Sequence, residues 1–181
     1  MQLGDPVGAE AHARNALKFD RAAPMANYIM GSLAMVKGEI NSAESYLKRA
    51  ADADKSVVYA INDLAELYRR TSRLDKALEY AERAVVNDPT LDVAHETLAS
   101  ILLELRRDLP RAKKELEKAI ELSSANGAKV DVRMLVTLVK LQSVNGEVKE
   151  AKQTLRTIQS RINELPEHDL KEYEELLKSV K

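Results

Sequence analysis

VYAINDLAELYRRTSRLDKALEYAERAVVNDPTL, residues 58–91, sets the pattern of the chain. Apolar residues recur in it every three or four positions, first as Ile61, Leu64, Ala65, Leu67 and Tyr68, then as Leu74, Ala77, Leu78, Ala81 and Ala84. That spacing puts one apolar stripe on each of two successive helices. Thr71-Ser72 is the polar break between them, and Asp88-Pro89 closes the segment, because proline cannot continue a helix. The stretch reads as a helical hairpin.

An offset of 34 residues carries the hairpin onto its neighbours. It aligns Gly4 with Gly38, Ala9 with Ala43 and Ala77, and Ala16 with Ala50 and Ala84; Met30, Leu64 and Leu98 fall in step, each followed by a small residue, Gly31, Ala65 or Ala99. A third copy continues through Ala112 and Ala119 after one extra residue in its turn, near Arg106 to Pro110. A longer connection, Ser123 to Val130, contains the turn-favouring pair Asn126-Gly127 and leads to a more divergent copy, in which Leu138, Val139, Gly146, Ala151, Leu155 and Ile158 take the same roles. A period of this length in a helical sequence marks stacked hairpins.

Composition agrees. The 181 residues are 45% apolar, enough for a substantial core, with six Tyr, one Phe and no Trp. Lys and Arg total 28 against 29 Asp and Glu, interspersed along the chain, which is unlike the basic excess of a nucleic-acid binder. The absence of Cys removes disulfides, thiolate metal sites and a Cys nucleophile together. No apolar run reaches the length of a membrane span, and the N-terminus has no signal-peptide pattern. A soluble segment is expected, cytoplasmic or, with an upstream signal or anchor, bacterial periplasmic.

Catalytic and metal-binding signatures do not emerge. His12, His95 and His168 are scattered over different repeats without the spacing that places two on one helix face, and they read as surface or partly packed side chains. No nucleophile elbow or glycine-rich phosphate loop occurs. Glu44 with Lys48, Glu66 with Arg70 and Glu79 with Arg83 stand four residues apart, as helix-surface ion pairs do. A non-enzymatic chain without cofactor or metal is expected.

The segment Ile61, Leu64-Ala65, Tyr68, Ala77, Ala84 and Pro89 resembles the tetratricopeptide repeat, over roughly residues 4 to 165. The resemblance implies an all-α, right-handed superhelical solenoid of helix-turn-helix repeats. Residues 5–20 are then the second helix of a repeat whose first helix is missing, suggesting a chain cut from a longer protein; repeats follow at 24–57, 58–91 and 92–126, with a divergent one at 130–165. Leu170, Tyr173, Leu176, Leu177 and Val180 form one stripe in 167–180, as in a capping helix. The pattern departs from the family where the second helix often carries an aromatic: Leu47, Ala81 and Leu116 stand there, and Val139 and Ile158 replace small residues in the last repeat.

In tetratricopeptide arrays the first helices line a concave groove that holds a peptide or partner protein. Carried onto this sequence, the groove positions are Met25, Tyr28, Ser32 and Met35; Tyr59, Asn62, Glu66 and Arg69; Val93, Glu96, Ser100 and Leu103; and Arg133, Val136 and Lys140. Met adapts its shape to a partner, and Tyr offers a large apolar face with a polar tip. Some relatives clamp a C-terminal carboxylate with Lys, Asn and Arg, but here Tyr28, Ser32, Val93 and Thr97 occupy those positions, and Asp63 would repel a carboxylate. The expected function is a protein-interaction scaffold; the alternative is a structural module, self-associating through the uncovered N-terminal end.

Overall fold

The computed structural model describes residues 5–125, Gly127 and 129–180, apart from the side chain of His168. Gly4 and Asn126, which entered the repeat alignment and the turn reading, lie outside the described residues. Ten α-helices follow one another among the described residues: α1 (Pro6–Phe19), α2 (Pro24–Val36), α3 (Ile40–Ala53), α4 (Val58–Arg70), α5 (Leu74–Asn87), α6 (Asp92–Glu104), α7 (Leu109–Ala125), α8 (Val132–Val144), α9 (Val148–Gln159) and α10 (Glu167–Ser179), with a 3₁₀ turn at Ile162–Glu164. There is no strand among the described residues. The starts of α2, α4 and α6 keep the sequence period, and α7 begins one residue late, after the predicted insertion.

The same backbone device ends each first helix. Gly38, Ser72, Arg106 and Gly146 all have positive φ, at 72, 57, 50 and 74°. The residue after each donates its N–H back into the last turn: Glu39 to Ala34 at 2.9 Å, Arg73 to Tyr68 at 2.8 Å, Arg107 to Leu102 at 3.0 Å and Glu147 to Gln142 at 2.8 Å. These six-to-one bonds satisfy helix-end carbonyls and fold the chain back. The inserted residue Asp108 is also left-handed, at φ 46°, and its carboxylate accepts the Arg111 N–H at 3.1 Å to start α7.

The second helices α1, α3 and α5 end on a repeated aspartate. Asp20, Asp54 and Asp88 each accept, on Oδ1, the N–H two residues later, at 2.8, 2.8 and 2.9 Å. These Asx turns set the chain for the next first helix. Asp5 and Asp131 cap the starts of α1 and α8 by accepting from Gly8 and Arg133.

Small residues sit where hairpins close. Ala43, Ala50, Ala77, Ala84, Ala112, Ala119 and Ala151 are buried, as are Leu64, Ala65, Leu98 and Ala99. The chain divides into two compact units, Met1–Thr90 and Leu91–Lys181, separating next to the expected repeat boundary. In the first, α1 packs on α2 around Ala13, Ala26 and Met30. In the second, Val132, Val136, Val139, Leu155 and Ile158 form a core that α10 covers with Tyr173, flanked by Leu170, Leu176 and Val180. Leu177 departs from the predicted apolar stripe and is 43% exposed.

Candidate functional site

In the first unit, α2 and α4 lie side by side and face each other through two rungs. Tyr28 and Ser32 are one helical turn apart on α2, as Tyr59 and Asp63 are on α4. The two tyrosine rings approach with centroids 6.4 Å apart, tilted by 34°. One turn further on, the Ser32 hydroxyl donates to Asp63 Oδ2 at 3.2 Å. Met25 and Tyr59 hold apolar area open to solvent, at 56% and 53% exposure.

Charge on this face is divided unevenly. Arg69 grips both oxygens of Glu66, at 2.7 and 2.9 Å, and Arg70 adds a third contact at 2.6 Å. These cations hold the Glu66 carboxyl below its ordinary value despite the opposing effect of burial. Asp63 has no ion pair among the described residues, only the Ser32 hydroxyl. Burial pushes its carboxyl up to about 6, with the Ser32 bond opposing and the nearby Glu66 charge adding to the rise. Burial, and then the Asp63 charge, raises the Tyr28 phenol as well.

Several predicted groove residues are placed differently. Asn62 is 8% exposed, and its Oδ1 is buried without a hydrogen-bond partner. Ser100, Leu103 and Val136 are buried too. Ser100 and Thr137 both donate to Glu96 Oε1, at 2.9 Å each, which ties α6 to α8 in the second unit. Val136 belongs to that unit's apolar core. Hairpin periodicity does not encode these contacts: Ser100 is covered from α8, and Val136 from α9 and α10. Ser32 and Met35 are partly buried, as are Val93, Glu96 and Lys140, while Arg133 is exposed. Arg133 pairs with Asp131 at 3.0 Å, and Lys140 with Glu172 of α10.

His95 corrects the surface reading of the histidines: it is 6% exposed, and its Nδ1 lies 2.6 Å from Glu115 of α7. His12 is exposed. Glu44 pairs with Lys48 and Glu66 with Arg70 as the spacing predicts, but Arg83 donates instead to the Ala51 carbonyl of α3, at 3.0 Å. Glu44 also accepts from Tyr68 and Arg73 at 2.9 and 2.7 Å, and these contacts, led by Lys48, overcome burial and hold its carboxyl near 2. The Arg73 guanidinium lies 4.4 Å from the Tyr68 ring centroid. A groove between α9 and α10, about 250 Å³ in volume, is lined by Leu155, Tyr173, Leu177, Val180, Lys152 and Arg156. Among the described residues no three His, Asp or Glu side chains gather as metal ligands, and no helix is long and apolar enough to cross a membrane.

No family model and no curated protein matches the chain. Solved structures do match its fold. TTC0263, a thermophilic TPR protein of Thermus thermophilus, aligns over 97% of this chain and 92% of its own at 20% identity, with a TM-score of 0.70. YrrB, a TPR protein with an unusual peptide-binding site, aligns over 84% and 75% at 18% identity and a TM-score of 0.67. A tetratricopeptide repeat protein from Parabacteroides merdae aligns over 88% of this chain and 61% of its own at 18% identity, with a TM-score of 0.64. The chain has the tetratricopeptide-repeat fold.

Proposed function

We propose that this chain is a protein-interaction scaffold whose first-helix face holds a segment of another polypeptide. The observation that carries the reading is the Tyr28–Tyr59 ring pair on α2 and α4, with Tyr59 and the α2 residue Met25 more than half exposed and Asp63 and the Glu66–Arg69 pair on the same helix as Tyr59. Large aromatic and methionine side chains beside fixed polar groups are what polypeptide interfaces enrich. The likeness to YrrB lends support, since that protein has a peptide-binding site on the same fold. In the second unit, Glu96, Arg133 and Lys140 are the polar groups at corresponding positions. Nothing on this face supplies an activated nucleophile with its base, so binding is the chemistry the arrangement serves.

The test begins with capture of a partner from the native extract. Affinities are then compared for wild type, Tyr59→Ala and Arg69→Glu, with thermal melts as a folding control. Tyr59→Ala is expected to cost about 2 kcal/mol of binding, because a central tyrosine is often an interface anchor, while the melt moves little, since the ring is half exposed. Full-strength binding by both folded variants would move the site off this face.

A further inference from the structure

Asp63 is a carboxylate on the α2–α4 face without an ion pair among the described residues. Its neighbours are specific: the Ser32 hydroxyl at 3.2 Å, and one turn away the Tyr28–Tyr59 ring pair. The two nearest cations on its own helix are committed elsewhere, since Arg69 and Arg70 both bind Glu66. A carboxylate partly withdrawn from water without a counter-ion is costly, and proteins normally resolve that cost with a paired cation. One helical turn away stands the half-exposed Tyr59 ring, tilted against Tyr28, and aromatic rings attract cations through their quadrupoles.

We propose that Asp63, Tyr28 and Tyr59 form a seat for a basic side chain, Lys or Arg, of the bound polypeptide. The proposal rests on the peptide-binding reading of this face and names the chemistry of its ligand. The cation would lie against the exposed Tyr59 ring with its N–H groups directed at the Asp63 carboxylate, and Ser32 would hold that carboxylate in place. The Asp63 charge that repels an incoming carboxylate attracts a cation by the same field. Among the described residues the ionisable groups bearing on Asp63 are Tyr28 of α2 and Glu66 and Arg70 of its own helix, and burial shifts its carboxyl up to about 6. Affinity for the cation therefore falls as pH drops through that value.

The probe is Nα-acetyl-arginine methylamide, titrated into the intact chain while the ring resonances of Tyr28 and Tyr59 are followed by NMR. Its citrulline isostere keeps the shape and removes the charge. Glycinamide carries only an α-ammonium and separates a chain terminus from a basic side chain. Saturable shifts of both rings by the arginine derivative are expected, with citrulline weaker by about tenfold and Asp63→Asn lowering arginine to the citrulline level. Asparagine preserves the acceptor for Ser32, so the variant keeps that contact. Equal binding of arginine and citrulline, no ring shifts at tens of millimolar probe, an unaffected Asp63→Asn variant, or stronger binding of glycinamide would each overturn the seat. Failure of the underlying reading looks different: a captured partner indifferent to Tyr59→Ala removes the face itself, whereas a partner weakened by Tyr59→Ala but not by Asp63→Asn removes only the seat.

Discussion

Gly31 shows how a single position fixes a helix crossing. A Cβ built there would lie 2.7 Å from both Cγ and Cδ2 of Leu47 and 3.2 Å from the Leu47 backbone nitrogen. Leu47 is fully buried on α3, so its side chain has nowhere to retreat. One repeat later the corresponding residues are Ala65 and Ala81, a larger residue on the first helix with a smaller one on the second. The departure from the family's usual aromatic is thus compensated across the crossing, and volume is shared between two positions rather than set at one. Gly31→Ala is expected to destabilise the fold by about 1–3 kcal/mol through overpacking, despite the better helix propensity of alanine; a urea melt measures it. An unchanged or raised midpoint would mean that α3 moves away from α2 freely. Asp63 was visible in the sequence only as a charge on a predicted face, because its lack of a counter-ion depends on which partner Arg69 and Arg70 choose.

Among the elements, the helices themselves were legible because a 34-residue repeat supplies three copies of the same pattern. Their ends were legible where glycine marks them and less so elsewhere. Gly38 and Gly146 announce a left-handed residue, but Ser72 and Arg106 adopt the same conformation at φ 57 and 50° without that signal. Ser72 accepts this strain because Arg73 must reach the Tyr68 carbonyl to close the hairpin. Ser72→Gly relieves the steric cost of a Cβ at positive φ while adding freedom to the unfolded chain. A net gain of about 0.5–1 kcal/mol is expected. Thermal melts of Ser72→Gly and Ser72→Ala test the cause: glycine should raise the midpoint and alanine should not. The groove positions were read less well than the helices. Their exposure depends on contacts beyond the single hairpin, which hairpin periodicity does not encode: Ser100 meets Thr137 of α8, and Val136 lies in the core that α10 covers.

At the scale of the whole molecule, the proposed binding face should leave its mark on stability as pH changes. The Asp63 carboxyl moves from 3.8 to about 6 on folding. Between those values the folded chain keeps a proton that the unfolded chain has released, so stability falls as pH rises through the window, and the loss is complete above it. Glu44 acts in the opposite direction. Its folded value near 2 lies below the ordinary 4.5, so its ion pairs stabilise the chain above that ordinary value and the contribution disappears as pH falls toward 2. The wild-type profile should therefore rise from strong acid, reach a maximum near the lower edge of the Asp63 window, and decline toward neutrality. Asp63→Asn removes the decline and keeps the acid limb. At about pH 7.5 the variant should be more stable than wild type by about 1–2 kcal/mol, less than the full shift implies because the group is only partly shielded from water. By about pH 4 the difference should shrink toward zero. Urea midpoints of the two proteins across this range give the answer directly. Equal midpoints at neutral pH would show that the carboxylate is already solvated and needs no cation. A stabilised Asp63→Asn variant that has also lost its preference for arginine would show that this face holds its charge at the expense of the fold, as binding sites commonly do.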